Sequence, residues 1–171
     1  MIIKHTKKAC RKKKKGVPRL SDSLAISNNI LRRAFNEGVE MSPMKLQKLL
    51  YFLYARYLHI SDGDHLFSSR FEVWKYGPVL QEVYRYFKNY SADPILEYAE
   101  MDSEVYVISE TVNPVFKRAL DEVWQRFKGF SGQHLSAITH LEHAAWFKAD
   151  QRGDKFLTDE EIRLDGDVFF A

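Results

Sequence analysis

The chain has 171 residues, 45% of them hydrophobic and 14% aromatic, with one cysteine and a formal net charge of +3. That composition excludes disorder throughout and a disulfide scaffold, and the length suits one domain with a single core. The charge is unevenly spread: residues 1–19 hold nine Lys and Arg and no acid, so the remainder, with 17 basic against 23 acidic residues, is net about −6.

Residues 1–19 are expected to be a disordered basic tail, because the block of like charge around Lys12, Lys13, Lys14 and Lys15 repels itself and brings almost no apolar burial. A domain over residues 20–171 follows. Ser21 or Asp22 can cap a first helix, in which Leu24, Ile30, Leu31, Ala34 and Phe35 form an apolar face up to Gly38. Ser42-Pro43 starts a second. Leu46, Leu49, Leu50, Leu53 and Tyr57 give it one buried stripe, and Tyr51, Phe52, Tyr54 and Leu58 widen it nearly all round, so this helix is expected at the centre with Lys45, Lys48 and Arg56 as its polar edge.

Between Asp62 and Tyr76 the period shortens to two, with Phe71, Val73 and Lys75 alternating against Glu72, Trp74 and Tyr76, which predicts a strand. Gly77-Pro78 is expected to end it and to open a third helix with Val79, Leu80, Val83, Tyr84 and Phe87 inward. Residues 104–108 predict a second strand, paired with the first. Asn113-Pro114 caps a fourth helix facing inward through Phe116, Ala119, Leu120, Val123 and Phe127 and stopped at Lys128-Gly129. Ser131 opens a fifth through Leu135, Ile138 and Leu141, Ala144 to Phe147 a short sixth turn, and Thr158 with Glu161 has capping-box spacing ahead of Ile162. The fold class is mainly α: a compact multi-helix domain with a small two-stranded antiparallel β element.

Catalytic candidates are thin. His140 and His143 stand three apart with Glu142 between them, but a metal site needs a third ligand, such as His134, His59 or His65, from elsewhere. A hydrogen-bonded structural His140 is the expectation, with no metal and no cofactor. Phosphate loops, nucleophile elbows and metalloprotease signatures do not occur. Cys10 falls in the basic tail, which argues against a cysteine nucleophile and fits a reducing compartment. No membrane span and no secretory signal is evident, so a cytoplasmic protein is expected. The lysines of the tail predict weak, non-specific, salt-dependent nucleic-acid contact, with no ordered element to read a base sequence.

Tyr51, Tyr54, Trp74 and Tyr76 are more than one core should need, so some are expected at a binding surface. Helix-opening N–H groups at Gly77-Pro78, with Lys75 alongside, would suit an anion or a carboxylate.

Three separated elements carry a resemblance. Lys45-Leu46-Gln47-Lys48-Leu49-Leu50-Tyr51, then Trp74 with Tyr76-Gly77-Pro78-Val79, then Leu135, Thr139, His140 and Trp146 occur in the order seen in the Panacea domain, the SocA-like or GepA-like phage-associated family. The resemblance spans about Leu24 to Ile162. It implies a mostly helical antitoxin, not an enzyme, whose partner is a protein toxin encoded beside it and neutralised by direct binding. The SocA-like branch implies an alternative, an adaptor that delivers its toxin to a protease. Many members add a DNA-binding helix-turn-helix, for which no room is expected in this chain. On the resemblance, Lys45, Lys48, Tyr51, Trp74, Lys75, Tyr76, Gly77, Pro78 and His140 are the expected partner-binding residues.

Overall fold

A computed structural model describes residues 2–4 and 21–171, so the expectation for the basic tail, Lys12 to Lys15 included, lies for the most part outside the described residues. Three residues of that segment are described. Ile2–Lys4 form strand β1, where no order was expected; two adjacent isoleucines are too short a signal in sequence but enough for an edge strand.

The first two helices follow their caps. Ser21 accepts from the Leu24 N–H at the start of α1 (Asp22–Glu37), and Gly38, at φ 66°, closes it in the left-handed region. Ser42 accepts from the Lys45 N–H, and Pro43 opens α2 (Pro43–Ile60). Every residue from Lys45 to Ala55 is buried. The expected polar edge is therefore absent over that stretch: Lys45 and Lys48 lie inside, because neighbours cover α2 on all sides.

Strand β2 (Glu72–Trp74) does not hand over to a helix at Gly77-Pro78. Those residues begin β3 (Gly77–Val79), which doubles back along β2 with Trp74 opposite Gly77, Val73 opposite Pro78 and Glu72 opposite Val79. Gly77, at φ 101°, supplies the reversal, and proline is tolerated because its missing N–H is not asked of the ladder. Helix α3 (Gln81–Phe87) begins only after Leu80 and runs into a 3-10 turn at Lys88–Tyr90. The expected anion-holding helix start at Gly77-Pro78 is thus overturned.

The second predicted strand forms, but with other partners. Strand β4 (Glu100–Met101) turns through Asp102 and Ser103, both at positive φ, into β5 (Glu104–Ile108), and β1 pairs on the opposite edge. Where β4 ends, α1 substitutes for a strand. Asn28 bonds both backbone groups of Ala99 and the carbonyl of Tyr106, and Asn29 bonds both backbone groups of Ile108, at 2.8–2.9 Å.

Helices α4 (Pro114–Phe127), α5 (Gly132–Thr139), α6 (Ala145–Arg152) and α7 (Asp159–Val168) complete the fold, with Asn113, Ser131 and Thr158 as side-chain caps. Helix α5 stops short of Leu141, which is exposed, and α6 runs further than the turn expected there. Helix α2 packs on α1, α3, α4, α5, α7 and β3, with Phe52 stacked on Phe127 at 4.5 Å and edge-on to Phe169 at 5.4 Å. The chain is mainly α. Among the described residues no helix is long and apolar enough to cross a membrane.

Candidate functional site

The three sequence elements converge on the β2–β3 hairpin. From α2, Gln47 treats Leu80 as a strand would: its Nε2 donates to the Leu80 carbonyl at 3.0 Å and its Oε1 accepts from the Leu80 N–H at 2.9 Å. One residue on, Lys48 Nζ donates to the Pro78 carbonyl at 3.0 Å. From α5, Ser136 Oγ donates to the Tyr76 carbonyl at 2.8 Å, and from α6, Trp146 Nε1 donates to the Trp74 carbonyl at 3.0 Å. The hairpin carbonyls are thus held by side chains of three helices.

His140 sits among them. Its Nδ1–H donates to the Ser136 carbonyl at 2.6 Å, since a carbonyl can only accept, while Nε2 lies 3.3 Å from the Lys75 carbonyl. The ring rests on Trp146, with centroids 3.7 Å apart. Gly77 fits because it has no side chain: a Cβ there would come within 2.7 Å of Thr139 Oγ1 and 2.8 Å of Lys48 Nζ. Glycine is required twice over, for the contact and for the positive φ.

At the tip the side chains turn outward. Lys75 and Tyr76 are exposed, Tyr76 to 58%, with the Lys75 ammonium 5.2 Å from the Tyr76 ring centroid. Trp74 is half-buried and meets Tyr84 edge-on at 4.8 Å.

Of the nine residues expected to bind a partner, Lys48, Trp74, Lys75, Tyr76, Gly77, Pro78 and His140 come together here. Lys45 and Tyr51 do not. Lys45 Nζ donates to the Lys128 carbonyl at 2.7 Å, at the negative end of α4, and burial pulls its pKa down. Burial also pulls Lys48 down, to about 7, and among the described residues no carboxylate pairs with it. Gln47, Ser136 and Trp146 escaped the expected set; their partners are backbone groups, which leave no trace in residue type. Among the described residues no group of three or more His, Cys, Asp and Glu could hold a metal ion, and His143 stands instead near Phe169.

Tyr51 belongs to a second buried centre. Its hydroxyl donates to Asp165 Oδ2 at 2.5 Å, and the Ala145 N–H at the start of α6 donates to both Asp165 oxygens at 3.1–3.2 Å. Burial first, then the Asp165 charge, hold the Tyr51 pKa well above its usual value. Burial raises Asp165 to about 6 despite those donors. A carboxyl with a higher pKa folded than unfolded binds more protons in the fold between the two values, so stability falls as pH rises from about 4 to about 6. Asp165→Asn removes the titration while leaving Tyr51 a partner. Wild-type stability minus that of the variant, from denaturant titrations, should drop by about 2–3 kcal/mol between pH 4 and pH 7. A constant difference would show that Asp165 does not carry the dependence.

Residues 46–147, more than half of the chain, match the family described as antitoxin SocA-like, Panacea domain. That span opens on α2 and ends just past Trp146, so it encloses every side chain that fastens the hairpin. Antitoxin SocA of Caulobacter vibrioides (strain NA1000 / CB15N) is 30% identical over 133 residues, covering 75% of this chain and 70% of that protein. No solved structure matches the chain. The family match spans the fastened hairpin, the relative belongs with it, and the chain is a member of the SocA-like antitoxin family defined by the Panacea domain.

Proposed function

We propose that this protein is a cytoplasmic antitoxin that neutralises a protein toxin from a neighbouring gene by binding it directly at the hairpin tip. Family membership supports the antitoxin role and speaks for binding rather than catalysis. The observation that carries the site is a division of labour among the residues at the hairpin. Gln47, Lys48, Gly77, Ser136 and Trp146 are spent on fixing the hairpin from beneath, while Lys75 and Tyr76 are left in solvent. A tip held by that many bonds loses little freedom when a partner docks, and aromatic residues with adjacent cations concentrate interface energy.

The test pairs protection with stability. Tyr76→Ala and Lys75→Glu change exposed side chains only, so each variant should melt with the wild type, whereas Tyr76→Ala should weaken the complex by about 2 kcal/mol or more, roughly thirtyfold in Kd. Each variant is co-expressed with the product of the neighbouring reading frame while growth is followed, and its melting temperature is measured separately. Lost protection by a folded variant supports the tip as the docking site. Full protection by both folded variants moves the toxin elsewhere on the surface.

A further inference from the structure

Beyond the tip, the outer face of the hairpin holds cations that the fold itself does not neutralise. Both edges of this small sheet are occupied. Glu72 bridges Phe156, Val73 N–H donates to the Lys155 carbonyl and Leu157 N–H to the Phe71 carbonyl, each at 3.0 Å, while Gln47 and Lys48 close the far side of β3. No strand can be added, so a partner must meet the face. Side chains two apart in a strand share a face, and Trp74 Nε1 donates to Glu72 Oε2 at 2.8 Å, which puts both on one side, with Phe156 directly opposite Glu72.

On this face Tyr84 packs edge-on to Trp74, and the Arg70 guanidinium and the Lys155 ammonium lie 4.6 and 5.1 Å from the Phe156 ring centroid. Arg70, Lys75, Tyr84 and Lys155 are exposed. Among the described residues none of the three cations has an ion pair; of the nearby acids Asp154 pairs with Arg152, while Glu72 accepts from Trp74 and Glu82 from Ser23 and Ser69, neutral donors that leave both carboxylates charged but hold them in place. A cationic, aromatic face thus stands on a body whose net charge beyond residue 19 is about −6.

We propose that this face, with Lys75 at the adjoining tip, receives an acidic segment of the partner protein, its carboxylates on Arg70 and Lys155 and its apolar side chains against Trp74 and Tyr84. The inference rests on the antitoxin reading and names the chemistry of the toxin segment that docks. Nucleic acid fits less well, because stacking bases need open ring faces. Here Phe156 is faced by two cations, and Trp74 is packed by Tyr84.

The experiment compares the full chain with its Arg70→Glu/Lys155→Glu variant, both carrying Lys12→Gln, Lys13→Gln, Lys14→Gln and Lys15→Gln to reduce binding by the basic segment. The probes are a fluorescein-labelled peptide rich in glutamate and phenylalanine and a labelled oligo(dT), followed by fluorescence anisotropy at two salt concentrations. Peptide binding should be weakened by salt and fall at least about tenfold in the double variant at unchanged melting temperature, with oligo(dT) binding the same in both proteins. Equal peptide binding by both proteins overturns the inference, as does a fall in oligo(dT) binding alone. If charge reversal unfolds the protein, Arg70→Gln/Lys155→Gln is read by the same criteria. A toxin that is still neutralised by the double variant but not by Tyr76→Ala leaves the antitoxin reading standing and removes the acidic segment.

Discussion

Replacing Gly166 by alanine is expected to lift α7 off α2 and to lower stability by at least about 3 kcal/mol, beyond the usual range for one added methyl group. An alanine Cβ would lie 2.0 Å from the Ala55 carbonyl oxygen, 2.6 Å from its carbon and 2.9 Å from His59 Cβ. Two of those atoms are helix backbone and cannot rotate away. Helix α7 also carries Asp165 to Tyr51, buries Ile162 and ends at the buried Phe169, so these contacts are lost together. Gly129→Ala is the control, since nothing lies within 4 Å of its Cβ and its φ is not positive. Denaturant titration of both variants measures the difference. A shift for Gly166→Ala no larger than that for Gly129→Ala would mean that α7 tolerates a wider spacing from α2.

The contact explains why the start of α7 is legible at Thr158 while its course through Gly166 is not. Asp165-Gly166-Asp167 looks like a turn, because glycine weakens a helix interior and aspartate favours its ends; here glycine is kept for a helix-to-helix approach visible only in three dimensions. The caps were legible for the opposite reason. Ser21, Ser42, Asn113, Ser131 and Thr158 each bond an N–H three residues ahead, and so close a partner can be read from sequence. The central place of α2 followed from apolar residues on most of its sides, and the mainly helical class followed from the summed periodicities. Strand partners could not be deduced in the same way. The signal over 104–108 is satisfied equally by any neighbour, and the surrogate pairing from Asn28 and Asn29 comes from residue types that usually suggest caps and turns.

The site was legible in its members and not in its geometry. Tyr76-Gly77-Pro78 suggested a helix start because proline is common there, yet the same proline suits a strand whose far edge faces side chains instead of another ladder. Lys48 suggested surface for the usual reason, that lysine is rarely buried without a partner charge. Its burial makes Lys48→Glu unsuitable as a probe of binding, since a carboxylate placed against the Pro78 carbonyl would unseat the hairpin whether or not a toxin touches it.

Lys48→Met is the informative change. The Lys48 pKa falls from 10.5 to about 7, so between these values the folded state binds fewer protons than the unfolded state and stability rises with pH. Below about pH 7 both states are protonated and the full cost of burying the ammonium applies, about 3–5 kcal/mol. Methionine keeps the length of the stem without the charge, at the loss of one hydrogen bond to the Pro78 carbonyl, worth about 1 kcal/mol. Wild-type stability minus that of Lys48→Met should therefore be negative at pH 7 and climb by about 3 kcal/mol by pH 9.5, before tyrosine ionisation intervenes. Denaturant titrations across that window measure it. A difference that stays level would mean that the ammonium finds a charged partner within the fold. A climb would show that the second motif lysine weakens its own domain at neutral pH, even though its bond to the Pro78 carbonyl fixes the hairpin beneath Tyr76.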